Sequence, residues 1–237
     1  MKKKTICIIP ARGGSKGLPR KNTLSLDGDS LIGRVVKDAL ASNVADVVLV
    51  TTDDEEIAAL ATEAGAEVPF IRPQDLSADL TTTEDTLKHA LLTYESMVNK
   101  EFDTVIFLTA TDVFRNINQI QEVVKRLHEN SDLESVFVGY KTHKNFWEST
   151  PDNGYERVKE WMASYSSRQV RRPIYREDTG LGCASRAWLW REGRRIGDKV
   201  DIVVNEDEYS NIDIHTAEDL ELANKAIEIK MKYNINK

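Results

Sequence analysis

Two hydrophobic periods alternate along most of the chain. Apolar runs at residues 5–9 (TICII), 46–50 (DVVLV) and 103–108 (DTVIFL) read as buried strands. Between them, apolar residues recur three and four apart, which predicts amphipathic helices over 31–42 (LIGRVVKDALAS), 54–64 (DEEIAALATEA), 84–97 (EDTLKHALLTYESM) and 117–130 (INQIQEVVKRLHEN). Gly65 supplies a C-terminal stop for the second helix. Residues 133–140 (LESVFVGY) alternate as a strand does. Strands separated by helical segments of ten or more residues predict βαβ units and a parallel sheet.

From 141 to 199 the pattern loosens, and this stretch holds all four tryptophans (Trp147, Trp161, Trp188, Trp190) and a dense group of arginines. Strand patterns return at 201–205 and 209–214, and 216–233 makes a long final helix with Thr216 and Asp219 as a capping box. The expected organisation is one α/β domain over 1–237 with an inserted excursion at 141–199.

Composition narrows the function. The 237 residues are 41% hydrophobic and 30% charged, ordinary for a globular chain, and the net charge is −7. An acidic protein is a poor general binder of nucleic acid or membrane surfaces, so any anion site must be built locally from clustered cations. The only cysteines, Cys7 and Cys183, form no metal motif; Cys7 reads as a buried thiol in a strand. The N-terminal apolar run stops at Pro10, too short for a signal peptide, and no stretch approaches a membrane span. The expectation is a cytoplasmic protein.

Ligands of open parallel sheets bind beyond the carboxyl ends of the strands. Here those exits read PARGGSKGLPRKN, TTDDEE, TATDVFR, KTHKNFW and HTAED, so cations, carboxylates and hydroxyls gather on one rim. In the first exit, Gly13, Gly14 and Gly17 permit positive φ and close approach to an anion, and Arg12, Lys16, Arg20 and Lys21 could neutralise a triphosphate. It is neither a Walker A loop nor G-x-G-x-x-G, and on spacing alone a solvated polar loop stays open as the alternative.

Among the carboxylates, Asp213 stands at a strand end entering the last helix, placed to hold Mg²⁺ or to satisfy backbone donors. Asp219, Asp53 and Asp54 read as helix caps, and Asp112 as a second ligand or a turn residue. The segment SSRQVRRPIYRED puts Arg168, Arg171, Arg172 and Arg176 around Tyr175, a patch suited to a carboxylate or phosphate, or to a dimer contact. His89 and His128 lie in helical patterns and read as ordinary.

The run IIPARGGSKGLPRKN closely resembles the signature of the CMP-sialic acid synthetases, the acylneuraminate or nonulosonate cytidylyltransferases. Every fixed position of their Pro-Ala-Arg-x-x-Ser-Lys-Gly-Leu-Pro-x-Lys-Asn pattern is present from Pro10 to Asn22. TTDDEEIAALATEAGAEVPFIRPQDLSAD is similar to their second block, and SSRQ, PIYRE, EGRRIG and IDIHTAEDLELA to later parts. The resemblance implies a Rossmann-like three-layer α/β sandwich with a mainly parallel sheet, of the nucleotide-diphospho-sugar transferase type. It further implies a homodimer in which the excursion crosses to the partner, with CTP, an acidic sugar acceptor and Mg²⁺ as ligands. By matched position, Arg12, Lys16, Lys21 and Asn22 would hold the nucleotide, Gly13 and Arg72 would lie near the base, and the segment around Asp79 would close over it. Arg12, Lys21 and Asp213 would be catalytic. Arg168, Gln169 and Tyr175 would face the acceptor or the partner subunit, with Thr109 and Arg115 also on the acceptor side.

Three departures from the family pattern stand out. His215 occupies the place of the second aspartate of Ile-Asp-Ile-Asp, leaving Asp213 as the first metal carboxylate, with Asp112 or His215 as candidates for the other. LTATDVFR replaces Leu-Gln-Pro-Thr-Ser-Pro-Leu-Arg, with Thr109 in place of a glutamine, and EDTGLGCAS replaces a Glu-Asn-Gly block. The expectation is therefore CMP transfer from CTP to a 2-keto sugar acid with release of pyrophosphate. Another anionic acceptor such as a phosphonate, or a nucleotide-binding homologue without transfer activity, stays open.

Overall fold

The computed structural model describes residues 3–77, 81–167 and 169–233. In chain order the strands are β1 (Thr5–Pro10), β2 (Ser25–Leu26), β3 (Asp29–Ser30), β4 (Val47–Thr51), β5 (Thr104–Phe107), β6 (Ser135–Thr142), β7 (Trp147–Ser149), β8 (Tyr155–Arg157), β9 (Ile174–Glu177), β10 (Cys183–Arg186) and β11 (Val200–Asn205). The helices are α1 (Leu31–Ser42), α2 (Glu55–Glu63), α3 (Thr83–Val98), α4 (Ile117–Glu129), α5 (Ala187–Arg191) and α6 (Ala217–Tyr233).

The main sheet runs β11-β6-β10-β5-β1-β4, with β9 also on β6. Strands β11 and β6 pair in parallel, as do β5, β1 and β4, while β10 runs antiparallel between β5 and β6. Alternation along each strand divides the core in two. On one face Cys7, Ile9, Ile106, Val136 and Val138 pack with residues of α1, α2, α4 and α6. On the other, Ile6, Ile8, Val105, Phe107 and Phe137 meet α3 and α5, where Leu91 and Trp190 are buried. A period of two on a strand gives two apolar faces only when both are covered. This is the mainly parallel three-layer arrangement that the sequence predicts.

Local chemistry sets the helix ends. Ser30, Asp54 and Thr82 accept bonds from the amides of Gly33, Ile57 and Asp85, capping α1, α2 and α3. Thr216 and Asp219 exchange the two bonds of the expected capping box.

Two regions differ from expectation. Residues 209–214 do not form a strand: a 3₁₀ turn over Glu208–Asn211 leads to a single-residue antiparallel bridge between Asp213 and Asp112. The segment 141–199 does not leave the sheet as a unit either. β9 pairs with the distal half of β6 and β10 with its proximal half, both on the same edge. Only one β6 residue, Val138, separates the two pairings, whereas five residues, 178–182, separate β9 from β10. The surplus bulges outward, tied by the Asp178 amide donating to Val138 O and the Val138 amide donating to Gly182 O. Among the described residues, no helix is long and apolar enough to cross a membrane.

Candidate active site

A cleft of about 500 Å³ opens at the carboxyl ends of β1 and β5. The first strand exit lines it with Arg12, Lys16, Lys21 and Asn22; Arg72 and Thr86 close one side, and Thr109, Thr111 and His215 another. The cations predicted from the loop thus converge with the C-terminal block across more than 190 residues of sequence.

The loop is shaped by close packing rather than by glycine's freedom at positive φ. The only loop residue at positive φ is Arg20 (54°), whereas Gly13, Gly14 and Gly17 are not in that region. A Cβ on Gly13 would lie 2.6 Å from Asp54 Oδ2, and one on Gly17 would lie 2.7 Å from the His215 carbonyl oxygen. These two glycines let the loop rest against α2 and against the C-terminal block. Buried Asn22 donates from Nδ2 to Arg12 O at 3.0 Å, which fixes the loop's two ends.

Arg20, expected on the triphosphate, instead pairs with Asp54 (3.0 Å) and Glu56 outside the cleft. Asp53 is no helix cap: it accepts from the Gly13 amide at 3.0 Å and faces the Arg72 guanidinium at 3.6 Å. Arg72 is buried and also donates to Ser77 Oγ at 2.9 Å; burial pulls its pKa below the ordinary value, and Asp53 opposes that shift. Sequence reasoning missed Asp53 because an aspartate before a helix has an obvious local use. Its role depends on Gly13, 40 residues away.

Two carboxylates meet just outside the cleft lining, beside Thr111 and His215. Asp112 and Asp213 face each other in the antiparallel bridge. Asp213 Oδ2 contacts His215 Nε2 at 2.8 Å, and its Oδ1 is buried with no hydrogen-bond partner. Asp112 accepts from Thr109 Oγ1 at 2.5 Å. Burial raises the Asp112 pKa, the Thr109 bond opposes the shift, and Asp213 adds to it. Burial lowers the Lys21 pKa, while Asp213 and Asp112 hold its charge in place.

The predicted acceptor residues separate. Thr109 lines the cleft. Arg115 does not: its side chain is 1% exposed and bonds to Asp38 (3.1 Å), Thr109 O and Gly180 O (3.0 Å). It buttresses the β5 exit instead of presenting a cation. Gln169 and Tyr175 are exposed on the arm that links β6 to β10, and do not reach the cleft of their own chain. Arg171 and Arg172 lie over Tyr165 and Trp161, and Arg176 pairs with Asp178 at 2.7 Å. Asp79 and Arg168 lie outside the described residues. Gly180, which lies in the departing segment EDTGLGCAS but is not among the predicted site residues, packs directly on Thr109 and Asp112.

This geometry can seat a polyanion beside two carboxylates, with a hydroxyl-lined wall adjoining. Comparison with known proteins agrees in kind. A pseudaminic acid cytidylyltransferase of Campylobacter jejuni is 37% identical over 127 residues, 54% of either chain. The chain thus spans about half the length of that relative. A CMP-N,N'-diacetyllegionaminic acid synthase of Legionella pneumophila is 29% identical over 228 residues, 96% of this chain and 97% of its own. In fold, the structure of a CMP-2-keto-3-deoxy-manno-octonic acid synthetase complexed with CTP superposes with a TM-score of 0.67 at 16% identity, over 96% of this chain and 99% of the other. Residues 6–234 match the cytidylyltransferase family, and the chain belongs to it.

Proposed function

We propose that this chain transfers the cytidylyl group of CTP to the anomeric hydroxyl of a 2-keto sugar acid of the nonulosonate class. The observation that carries the reading is the convergence of Arg12, Lys16, Lys21 and Arg72 in one cleft in an otherwise acidic protein. The names of the relatives supply the acceptor class. In the reaction the acceptor oxygen bonds to the α-phosphorus, the bond from that phosphorus to the bridging oxygen breaks, and pyrophosphate leaves. The hydroxyl proton passes to solvent. No covalent intermediate on the protein is needed, so orientation and charge neutralisation carry the catalysis.

Arg12 and Lys16 hold the phosphates, Lys21 neutralises charge developing on the transferred phosphoryl group, and Gly13, Asn22 and Arg72 form the end that receives the nucleoside. Mg²⁺ fits the opposite end. No group of three or more His, Cys, Asp or Glu side chains that could hold a metal occurs among the described residues. This ion, however, takes one or two carboxylates and completes its shell with substrate phosphates and water. The unpartnered, buried Oδ1 of Asp213 is a waiting oxygen donor of the right kind. When bound, the ion would offset charge on the phosphate oxygens.

The arm offers a surface to a second copy of the chain. Seven large apolar side chains from Phe146 to Tyr175 are exposed, among them Tyr155 at 77% and Val170 at 75%. Such a patch on an acidic, water-soluble surface fits coverage by a second copy in a homodimer. Two buried free cysteines, Cys7 and Cys183, fit the cytoplasm.

The test is pyrophosphate release from CTP and Mg²⁺ with pseudaminic, legionaminic and N-acetylneuraminic acids and a phosphonate as acceptors. Turnover of a nonulosonate supports the reading. CTP binding without release from any acceptor would identify a nucleotide-binding homologue, and turnover of the phosphonate alone would reassign the acceptor.

A further inference from the structure

We infer that Asp112, not residue 215, supplies the second carboxylate to the metal of this enzyme, and that His215 is a positioning residue for Asp213. The inference rests on the cytidylyltransferase reading above and concerns how this chain completes that site.

Asp112 and Asp213 are direct partners in an antiparallel bridge, which the bond from the Ile214 amide to Thr111 O (3.1 Å) anchors. Residues opposed in this way project to the same face with Cβ atoms about 5 Å apart. Two carboxylates so placed can share one small cation. The ends of Asp213 are not equivalent: Oδ2 is taken by His215 Nε2 at 2.8 Å, and Oδ1 is buried without a partner. A buried acceptor left unpaired is destabilising, unless a ligand completes it. His215 therefore fixes which oxygen of Asp213 remains available.

Asp112 is seated with equal care. Thr109 Oγ1 donates to its Oδ2 at 2.5 Å. A Cβ on Gly180 would lie 1.9 Å from that Oδ2 and 2.4 Å from Thr109 Oγ1. Any residue but glycine at 180 would evict the carboxylate. Gly180 reaches this place because residues 178–182 bulge from the sheet, and Arg115 clamps the bulge by donating to Gly180 O at 3.0 Å. The three segments that depart from the family pattern (Thr109 to Asp112, the bulge, and His215) are thus one contiguous structure. They read as a single exchange: the carboxylate absent from position 215 has been moved to position 112.

The experiment is Mn²⁺ binding, followed by electron paramagnetic resonance and calorimetry, to protein saturated with α,β-methylene CTP. Far-UV circular dichroism serves as the folding control. Asp112→Asn is nearly isosteric and should weaken Mn²⁺ binding by at least about 100-fold, beyond the 10–100-fold typical of outer-shell changes. Metal-free nucleotide binding should not weaken by more than about twofold, since Asp112→Asn removes a negative charge near Lys21 and takes no cation away. His215→Ala should weaken Mn²⁺ by about tenfold. Returning the carboxylate, Asp112→Asn with His215→Asp, should recover at least about tenfold of the loss. If Asp112→Asn does not fold, Gly180→Ala displaces the same carboxylate and should lower Mn²⁺ affinity likewise. Unchanged Mn²⁺ affinity in Asp112→Asn, or loss confined to His215→Ala, overturns the assignment, as does a double variant with no recovery. Failure of the parent protein to bind CTP would instead overturn the cytidylyltransferase reading itself.

Discussion

Gly17 lies so close to His215 that a methyl group on its α-carbon would meet the histidine's main-chain oxygen at 2.7 Å. The cationic loop and the C-terminal carboxylate block are therefore in main-chain contact, and their spacing is set by the absence of one side chain. Gly17→Ala should push the blocks apart. Overpacking of this sort costs about 1–3 kcal/mol of stability, and kcat/KM for CTP should fall at least about tenfold. Steady-state kinetics beside a thermal melt check this. A destabilised variant with undiminished kcat/KM would show that the spacing is immaterial to turnover.

Adjacent aspartates should behave differently. Asp54 caps α2 and pairs with Arg20, so Asp54→Ala should lower stability by about 1 kcal/mol, most of it from the lost cap. Asp53 holds the Gly13 amide and faces Arg72. Asp53→Ala should raise KM for CTP at least about threefold with a smaller change in melting temperature than Asp54→Ala. Equal melting shifts with unchanged KM in both would refute the division.

Arg115 separates buttress from ligand. Its guanidinium is enclosed and bonded to Asp38, Thr109 O and Gly180 O. Arg115→Met should cost about 3 kcal/mol, measured by denaturant unfolding, because it strands a carboxylate and two carbonyls. A variant of normal stability with a raised acceptor KM would restore Arg115 to the acceptor.

Acid should weaken the fold through His128. Its Nε2 contacts Thr104 Oγ1 at 3.0 Å, and burial, then Lys3 and Arg186, lower its pKa from the ordinary 6.5. The unfolded chain thus takes up the proton more readily than the native one, so stability is complete above pH 6.5 and falls as pH drops below it. His128→Gln should flatten unfolding free energy between about pH 7 and 5. An unchanged slope would exclude this histidine as its source.

The fold was legible wherever both faces of a strand and one stripe of a helix are covered, since these leave periods of two and 3.6 in the sequence. Residues 31–42, predicted as a helix, are α1 to the residue. β10 escaped notice because Cys-Ala-Ser-Arg offers no apolar run: it is a buried strand of small residues whose Ser185 hydroxyl meets Ser135 Oγ at 2.9 Å. The cations of the cleft could be listed from strand exits alone. Which of them point inward could not, because Arg20 and Arg115 are claimed by carboxylates 34 and 77 residues distant.

The position of β10 also bears on how the chain reaches its native state. β6 and β11 join the rest of the sheet only through β10, which lies between β5 and β6. During synthesis, every residue of β1, β4, β5 and β6 precedes it. Until Cys183–Arg186 arrives, the β5-β1-β4 half-sheet and β6 must wait with open edges, since β11 comes later still, and each is a template for pairing with another chain. Insertion of a late central strand also adds contacts of high sequence separation, which slow folding. The nascent protein is therefore most exposed to misassembly while the arm is emerging, and chains truncated within the arm should aggregate instead of yielding a smaller soluble nucleotide-binding unit.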